Sequence, residues 1–298
     1  MLKALFLVIS FALLVQGSDE EVLMELYKST NGANWKDNTN WGSSMSICTW
    51  IGVTCDSNGR VGSLSLSANN LVGQIPESLG ELSELTALYL YANQLTGALP
   101  QSLANLDLHF VDVNSNQLSG TIPSFQSQSL QYLILYRNKF SGNLPDSIGS
   151  IGTLERLILS ENQFTGSIPD SYGSLGNLMY MFLDSNQLSG SIPDLSGLSS
   201  VESIKLNDNQ LSGSIPESVG SLSRLLELIM QNNQLSGSVP ESLGYLDGQL
   251  SWLDLSNNKL NEIPDMDLTV SSHCNLSANP FKCPIPSWAS SICQATCN

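Results

Sequence analysis

The 298-residue chain is acidic, with 27 Asp and Glu residues against 11 Lys and Arg residues and a formal net charge of −16. This balance argues against a nucleic-acid partner, because such binding needs a basic surface that displaces counterions. It also argues against electrostatic docking on an anionic membrane, which uses clusters of Lys and Arg.

The N-terminus has the features of a secretory signal peptide. Lys3 precedes an apolar run over residues 4–15, and small residues follow at Gly17 and Ser18. The run is too short to span a bilayer well, and no later stretch is long and apolar enough to do so. We therefore predict a signal peptide over residues 1–17, cleavage near Gly17, and a secreted or extracellular protein that could remain associated with the cell surface.

The cysteines support the same compartment. An even number of cysteines near the two ends of a secreted chain is typical of disulfide bonds, and we predict that all six are paired: Cys48, Cys55, Cys274, Cys283, Cys293 and Cys297. The short segment between Cys48 and Cys55 makes their pairing the simplest one. The last four cysteines allow three pairings, and their spacings lack the CxxC pairs typical of zinc sites.

Residues 18–60 are predicted to form an N-terminal cap. Acidic residues at 19–21 suit a helix N-terminus, and apolar residues then recur on one helical face until a polar stretch ends the helix at residues 29–32. A repeat array needs such a cap, because its first repeat would otherwise expose an apolar end.

A repeated phrase fills residues 61–270. It is clearest over residues 88–100, where a Leu-x-Leu pair is followed by Asn93, Leu95, Gly97 and Pro100. The asparagine of the phrase recurs every 21 to 25 residues, at Asn69, Asn93, Asn116, Asn138, Asn162, Asn186, Asn209, Asn233, Asn258 and Asn279. This period lies in the range of leucine-rich repeats and predicts an α/β solenoid of about nine to ten repeats, with one short strand in each.

Each position of the phrase has a structural role that its residue type explains. The two leucines of Leu-x-Leu point the same way, into the core. The asparagine side chain can satisfy backbone groups of the following turn, and stacked copies would form a ladder along the solenoid. The recurrent glycines allow close approach or positive φ. The remaining segment of each repeat predicts 3₁₀ or short α-helix on the outer face.

The array changes toward its C-terminal end. The repeat that contains Asn116 is short, and the repeat that contains Asn258 lacks the glycine. In the next repeat, Cys274 stands where a core leucine is expected. We predict that residues 271–298 form a C-terminal cap held by disulfides.

Two motifs carry a resemblance to a known family. The segment Cys48-Thr-Trp-Ile-Gly-Val-Thr-Cys55 and the phrase Asn-x-Leu-x-Gly-x-Ile-Pro resemble plant-type extracellular leucine-rich-repeat proteins. That class includes receptor-kinase ectodomains, receptor-like proteins and polygalacturonase-inhibiting proteins. The resemblance implies a right-handed superhelix with a parallel sheet on its concave face, often a second and shorter sheet, and partner binding on the concave face. The lead-in and the C-terminal cap look more like secreted proteins of protists and algae.

The chain shows no catalytic constellation. Its two histidines, His109 and His273, have no Ser or Cys nucleophile and carboxylate at a meaningful spacing. There is no phosphate loop, HExxH motif or calcium loop. We therefore predict a protein that is not an enzyme and that needs no cofactor or metal.

The hypothesis about function rests on the outward-facing residues of the strands. Neighbouring strands lie ~4.8 Å apart, so aromatic and isoleucine residues in adjacent rows would form a stripe over roughly 20 Å. The stripe comprises Tyr89, Tyr91, Phe110, Tyr132, Ile134, Tyr136, Arg156, Ile158, Tyr180 and Phe182. Tyr and Arg are frequent hot-spot residues, which predicts a protein or peptide ligand. The alternative is that these residues only support strand pairing.

Other functions remain open at this point. The chain could inhibit a secreted wall-degrading hydrolase, serve in adhesion, or bind carbohydrate by stacking sugars on aromatic rings. Ice binding would need a regular flat face with an ordered row of Thr, and the aromatic, charge-mixed stripe does not provide one. Asn275 lies in the sequon Asn-Leu-Ser and is the predicted glycosylation site.

Overall fold

The computed structural model describes residues 18–297, so the predicted signal peptide over residues 1–17 lies outside the described part. The first element is helix α1, Asp19–Ser29. It begins with a capping box, in which the Glu21 backbone N–H donates to Ser18 Oγ at 3.3 Å and the Ser18 N–H donates to Glu21 Oε2 at 2.9 Å. The predicted helix is confirmed, and Val22, Leu23 and Leu26 form its buried face.

The N-terminal cap has an aromatic core of its own. The Trp35 ring lies 5.3 Å from Tyr27 and 4.8 Å from Trp41, whose ring lies 5.0 Å from Trp50. A disulfide joins Cys48 to Cys55, as predicted.

A buried carboxylate attaches this cap to the repeats. Asp19 is only 7% exposed and accepts hydrogen bonds from Arg60 Nε, Arg60 Nη2 and the Val61 backbone N–H, the last at 2.8 Å. Because Val61 opens the first strand of the array, this contact fixes α1 against it. An unpaired buried carboxylate would be costly, so the pairing also explains why Asp19 is tolerated there.

The predicted parallel sheet is present and is called the long sheet below. It has eleven strands within the described residues, and each strand pairs with the next repeat's strand. Only the first pair is antiparallel. The strands are Val53–Cys55, Val61–Ser65, Ala87–Tyr89, Phe110–Asp112, Tyr132–Ile134, Arg156–Ile158, Tyr180–Phe182, Ser203–Lys205, Glu227–Ile229, Trp252–Asp254 and His273–Asn275.

A second sheet runs beside the long sheet, after the turn that contains the repeated asparagine. Its seven strands are Ser119–Gly120, Lys139–Asn143, Gln163–Gly166, Gln187–Gly190, Gln210–Gly213, Gln234–Ser238 and Lys259–Glu262. Two further strands, Val72–Gln74 and Gln94–Thr96, pair with each other. A bridge between Ala98 and Ser119 extends this pairing toward the seven-stranded sheet.

Short 3₁₀ segments complete the repeats, as the sequence predicts. They are Glu77–Glu81, Gln101–Asn105, Asp146–Ser150, Asp170–Ser174, Glu217–Ser221 and Glu241–Leu246. The residue before each segment is a proline, which fixes φ and ends the extended stretch. Further 3₁₀ turns lie in the cap at Gly32–Asn34 and Ile47–Thr49.

The predicted asparagine ladder is present. Asn162 Oδ1 accepts from the Phe140 N–H at 3.0 Å, and its Nδ2 donates to the carbonyls of Leu135 and Leu159, both at 3.1 Å. The side chain therefore bridges two repeats.

The residue before each ladder asparagine adopts the left-handed conformation, with φ between 51° and 58°. Arg137, Glu161 and Asp208 hold this position in the middle of the array. The sequence pattern gave no sign of it, because none of these residues is a glycine.

The C-terminal cap resolves the pairing that the sequence left open. Cys274 pairs with Cys293, and Cys283 pairs with Cys297. Helix α2, Ser287–Ile292, lies between them. Trp288, in this helix, donates through Nε1 to the Pro264 carbonyl at 3.1 Å. A bridge from Asn275 to Gln294 covers the free edge of the last strand.

Apolar side chains from every repeat join one continuous core along the array. Among residues 18–297, neither helix has the length and apolar character needed to cross a bilayer.

Candidate functional site

The long sheet presents two outward columns of side chains along its middle. The parallel register aligns equivalent residues, so that Tyr132, Arg156 and Tyr180 are direct neighbours. The first column reads Ser63, Ala87, Phe110, Tyr132, Arg156, Tyr180, Ser203, Glu227, Trp252 and His273. The second reads Ser65, Tyr89, Asp112, Ile134, Ile158, Phe182, Lys205, Ile229, Asp254 and Asn275.

Most of the predicted stripe comes together as one cluster. We call Tyr89, Phe110, Tyr132, Arg156, Tyr180 and Phe182 the aromatic cluster. Ring centroids lie 6.4 Å apart for Tyr89 and Phe110, 5.0 Å for Phe110 and Tyr132, and 5.9 Å for Tyr180 and Phe182. These distances are typical of interacting aromatic pairs.

Arg156 links the two halves of the aromatic cluster. Its guanidinium lies 4.6 Å from the ring centroid of Tyr132 and 5.5 Å from that of Tyr180. Such cation–π contacts hold the planar group between the rings. Among residues 18–297, the ion pairs do not include Arg156. The contacts of its guanidinium in this part of the chain are therefore with rings and not with carboxylates.

The other predicted residues flank the cluster. Ile134 and Ile158 are paired neighbours in the second column. Tyr91 and Tyr136 lie two residues further along their chains, where Tyr91 is 40% exposed and Tyr136 contacts Arg137 at 5.9 Å. Eight of the ten predicted residues therefore lie in the two outward columns, and none of the ten is fully buried.

Acidic residues border this face. Burial raises the pKa of Asp112 and of Asp184 above that of an exposed aspartate. Asp184 accepts from Ser160 Oγ at 2.5 Å, and Asp112 accepts from Asn114 Nδ2 at 2.6 Å. The Tyr180 hydroxyl donates to Glu202 at 2.9 Å, and this bond raises the pKa of Tyr180. Lys205 lies 4.6 Å from the Phe182 ring. The surface is thus aromatic at its centre and charged at its edges.

The shape of the face suits an extended ligand better than a small molecule. Two shallow recesses of about 240 and 290 Å³ lie on either side of Phe182, one reaching Leu226 and the other Tyr136. Enclosed small-molecule sites are usually larger, at roughly 300–1,000 Å³. A recess of about 610 Å³ lies in the N-terminal cap, but its Arg60 is already paired with Asp19.

The second sheet, together with the adjoining strand Gln94–Thr96, has a different outward surface, which we call the hydroxyl face. Its first position is mainly glutamine: Gln94, Gln117, Lys139, Gln163, Gln187, Gln210, Gln234 and Lys259. The second position is Ser or Thr: Thr96, Ser119, Ser141, Thr165, Ser189, Ser212 and Ser236. The third position, after the glycine, is mainly Ser: Ala98, Thr121, Asn143, Ser167, Ser191, Ser214 and Ser238.

Sequence reasoning did not single out the hydroxyl face. The signal was present in the recurrence of Ser or Thr on both sides of the repeated glycine. Asn275 lies elsewhere, on the last strand of the long sheet, where its Oδ1 accepts from Ser277 Oγ at 2.7 Å. Its glycosylation stays a prediction. Within the described part of the chain, no group of three or more His, Cys, Asp or Glu side chains could hold a metal ion.

Comparison with known proteins identifies the repeats. Residues 16–56 match the leucine-rich-repeat N-terminal domain. The leucine-rich repeat itself matches residues 61–82, 84–106, 129–151, 153–175, 200–222, 224–246 and 249–269, which together exceed half of the chain. Curated receptor-like kinases of Arabidopsis thaliana match at 35–36% identity, and the chain spans only 10–13% of their length.

Three solved structures are similar to this chain. The ectodomain of the receptor kinase GASSHO1/SCHENGEN3 from Arabidopsis thaliana, in complex with CASPARIAN STRIP INTEGRITY FACTOR 2, has a TM-score of 0.83 at 31% identity, covering 92% of this chain and 34% of its own. The Arabidopsis receptor kinase HAESA ectodomain, in complex with an IDA peptide hormone ligand, has a TM-score of 0.69 at 32% identity, covering 91% and 51%. A plant ice-binding protein has a TM-score of 0.76 at 27% identity, covering 94% and 95%.

Proposed function

Because the chain belongs to the leucine-rich-repeat family of extracellular, plant type, we propose that it is a non-enzymatic module that binds an extended peptide on its long sheet. The observation that carries this proposal is the aromatic cluster with Arg156 held between Tyr132 and Tyr180. Similarity to the HAESA ectodomain, whose structure contains a peptide hormone, supports the ligand class.

The dimensions of the cluster are consistent with a short peptide segment. From Tyr89 to Phe182 it crosses five strands, which at ~4.8 Å spacing is roughly 20 Å. An extended chain rises ~3.3 Å per residue, so about six ligand residues would cover it. Tyr and Arg side chains held by a rigid sheet lose little conformational freedom on binding, which favours affinity.

A peptide library provides the test, since no particular ligand is assumed. Displayed heptapeptides are selected on the intact protein, and the selected peptides are measured against a Tyr132→Ala/Phe182→Ala variant. Loss of two hot-spot side chains should weaken binding by roughly 30-fold or more. A Gln187→Ala/Gln210→Ala variant on the second sheet is the matched control and should bind as wild type does. Failure to select any peptide, or equal binding by the cluster variant with an unchanged melt, would refute the proposal.

We also propose that the protein acts outside the cell. The three disulfides among the described residues and the ectodomains among its structural relatives support this location. Mass spectrometry of protein recovered from the medium of a eukaryotic expression host should find an N-terminus near Ser18. A product retained inside the host with residues 1–17 attached would contradict it.

A second candidate function is ice binding, and we propose it on two grounds. The similarity to the plant ice-binding protein covers nearly the whole of both chains, unlike the similarity to the receptors. The hydroxyl face also supplies the regular row of Ser and Thr that the long sheet lacks. Purified protein should enter a slowly growing ice crystal and lower its growth temperature below the melting point. Exclusion of the protein from ice would reject this candidate and leave the peptide proposal untouched.

A further inference from the structure

We infer that ice is bound by the hydroxyl face of the second sheet and not by the long sheet, an inference that rests on the second function proposed above. A crystal of water presents donors and acceptors at fixed, repeating positions. The surface that binds it must therefore be flat, rigid and repetitive over several repeats. Two sheets of this protein are long enough to be considered, and their outward side chains differ in kind.

The long sheet does not meet these requirements. Its columns mix rings, cations and carboxylates, as at Arg156, Phe182 and Asp112. Side chains of such different length give an uneven surface, and the recesses beside Phe182 add to this relief. Charged groups also keep their own hydration, which does not follow a crystal lattice. No row of identical groups runs along this sheet.

The hydroxyl face repeats neutral groups instead, with short hydroxyl side chains at the second and most of the third positions and glutamine at most first positions. From Thr96 to Ser236 every strand carries Ser or Thr at the second position, and the third position adds a further run from Ser167 to Ser238. Cations occur only at Lys139 and Lys259 among these three positions of the described strands. Short hydroxyl side chains lose less conformational entropy on contact than long ones do.

Strand register converts these positions into a two-dimensional array. Strands of the second sheet are staggered by two residues, so Thr165 pairs with both Asn143 and Gln187. Ser189 pairs with Gln210 and Ser212 with Gln234 in the same way. Rows across the sheet therefore combine groups from successive repeats, spaced ~4.8 Å apart. One such row carries Asn143, Thr165 and Gln187, so neutral hydroxyl and amide groups lie side by side.

Glycine allows close packing within this array. Gly142 and Gly190 have φ of 81° and 78°, which L-residues with side chains adopt at a cost. A Cβ added at Gly142 would lie 3.1 Å from Thr121 Cγ2, and one added at Gly190 would lie 3.3 Å from Ser167 Cβ. The third-position side chain of one repeat thus occupies the space that the glycine of the next repeat leaves.

Backbone contacts orient several of the hydroxyl groups. Thr96 Oγ1 donates to the Gly73 carbonyl at 3.1 Å, and Ser119 Oγ donates to the Gly97 carbonyl at 3.3 Å. These bonds direct the hydroxyl hydrogen toward the protein and leave the oxygen lone pairs toward water. Groups that are held before binding need not be ordered during it, which lowers the entropic cost. Because the groups repeat from strand to strand, many weak contacts can form together.

Two double variants test the assignment, with matched chemistry and equal charge. Thr165→Lys/Ser212→Lys places long cations in the middle of the hydroxyl face. Ser57→Lys/Ser223→Lys places the same groups at exposed sites outside both sheets. Each labelled protein is frozen slowly against an ice surface, its fraction in the ice is measured, and a thermal melt confirms folding. We expect the first variant to be excluded from ice and the second to enter it as wild type does.

Each outcome has a separate meaning. If wild type stays out of ice, the proposed ice-binding function fails, and this assignment fails with it. If wild type enters ice and Thr165→Lys/Ser212→Lys still enters to the same extent, the function stands and the assignment to the hydroxyl face is overturned. The Tyr132→Ala/Phe182→Ala variant changes the long sheet instead, and it should enter ice to the same extent as wild type. Its exclusion from ice would place the binding surface on the aromatic cluster.

Discussion

Replacing one ladder asparagine, Asn162→Ala, should destabilise the middle of the solenoid. The Asn162 side chain is 9% exposed and accepts from the Phe140 N–H at 3.0 Å. Its Nδ2 donates to the Leu135, Leu159 and Ser160 carbonyls. Alanine removes all four bonds and cannot replace any of them.

The size of the effect follows from which groups lose their last partner. The Leu135 carbonyl still accepts from Asn138 Nδ2, and the Leu159 carbonyl still accepts from Asn186 Nδ2, each at 3.1 Å. Phe140 N–H, in contrast, donates to Asn162 alone among the described residues. One buried donor without a partner costs about 1–3 kcal/mol, and the three other lost bonds place the expected value near the upper end.

Hydrogen exchange and urea unfolding together provide the assay. Each repeat contacts only its neighbours, so the Phe140 amide should exchange faster while amides of α1 remain protected. Far-ultraviolet circular dichroism reports the unfolding midpoint. Asn177→Ala is the control, because its exposed side chain makes one hydrogen bond, to the Gly152 carbonyl at 2.7 Å. The control should change stability by less than about 0.5 kcal/mol. An Asn162→Ala protein with wild-type protection at Phe140 and an unchanged midpoint would refute the reasoning.

Two further predictions concern pH and the cap. Burial raises the pKa of Asp184, so the folded state holds a proton that the unfolded chain has released, and stability falls as pH rises through the folded pKa. The Asp184→Asn substitution removes this pH dependence, and its amide oxygen can still accept from Ser160. The Tm of the variant minus the Tm of wild type should therefore grow more positive from about pH 4 to about pH 7. A constant Tm difference across a scanning-calorimetry series would contradict this prediction. Cys48→Ser/Cys55→Ser opens the loop of the N-terminal disulfide, which should cost about 2–3 kcal/mol. Exchange should accelerate in α1 and not in the strand Glu227–Ile229, whereas uniform acceleration would show that the cap stabilises the whole array.

Periodicity made most of the fold predictable. The spacing of Asn69 to Asn279 defined the repeats, and Leu-x-Leu identified the core side of each strand. The same frame identified all ten residues of the stripe as outward-facing, and eight of them lie in the two outward columns of the long sheet. Their role in binding stays a prediction. What the frame could not give was contact geometry, such as the position of Arg156 between Tyr132 and Tyr180. Cation–π geometry depends on side-chain rotamers, which a repeat pattern does not specify.

The hydroxyl face shows the limit of the sequence more sharply. Ser and Thr recur visibly beside each glycine, but their neighbours depend on the stagger between strands. Thr165 lies beside Gln187 and not beside its equivalent Ser189. Equivalent positions of successive repeats are aligned in the long sheet and offset in the second sheet. The neighbours of each hydroxyl group can therefore be predicted only when the strand register is known.

The sequence by itself determined the solenoid, its caps, the asparagine ladder and the local Cys48–Cys55 bond, because each depends on residues at a fixed separation along the chain. Tertiary structure decided the pairing of Cys274 with Cys293 and of Cys283 with Cys297, the left-handed residue before each ladder asparagine, and the relief of the two outward faces. These depend on how neighbouring repeats stack, and stacking sets distances between side chains that lie about one repeat apart in the chain.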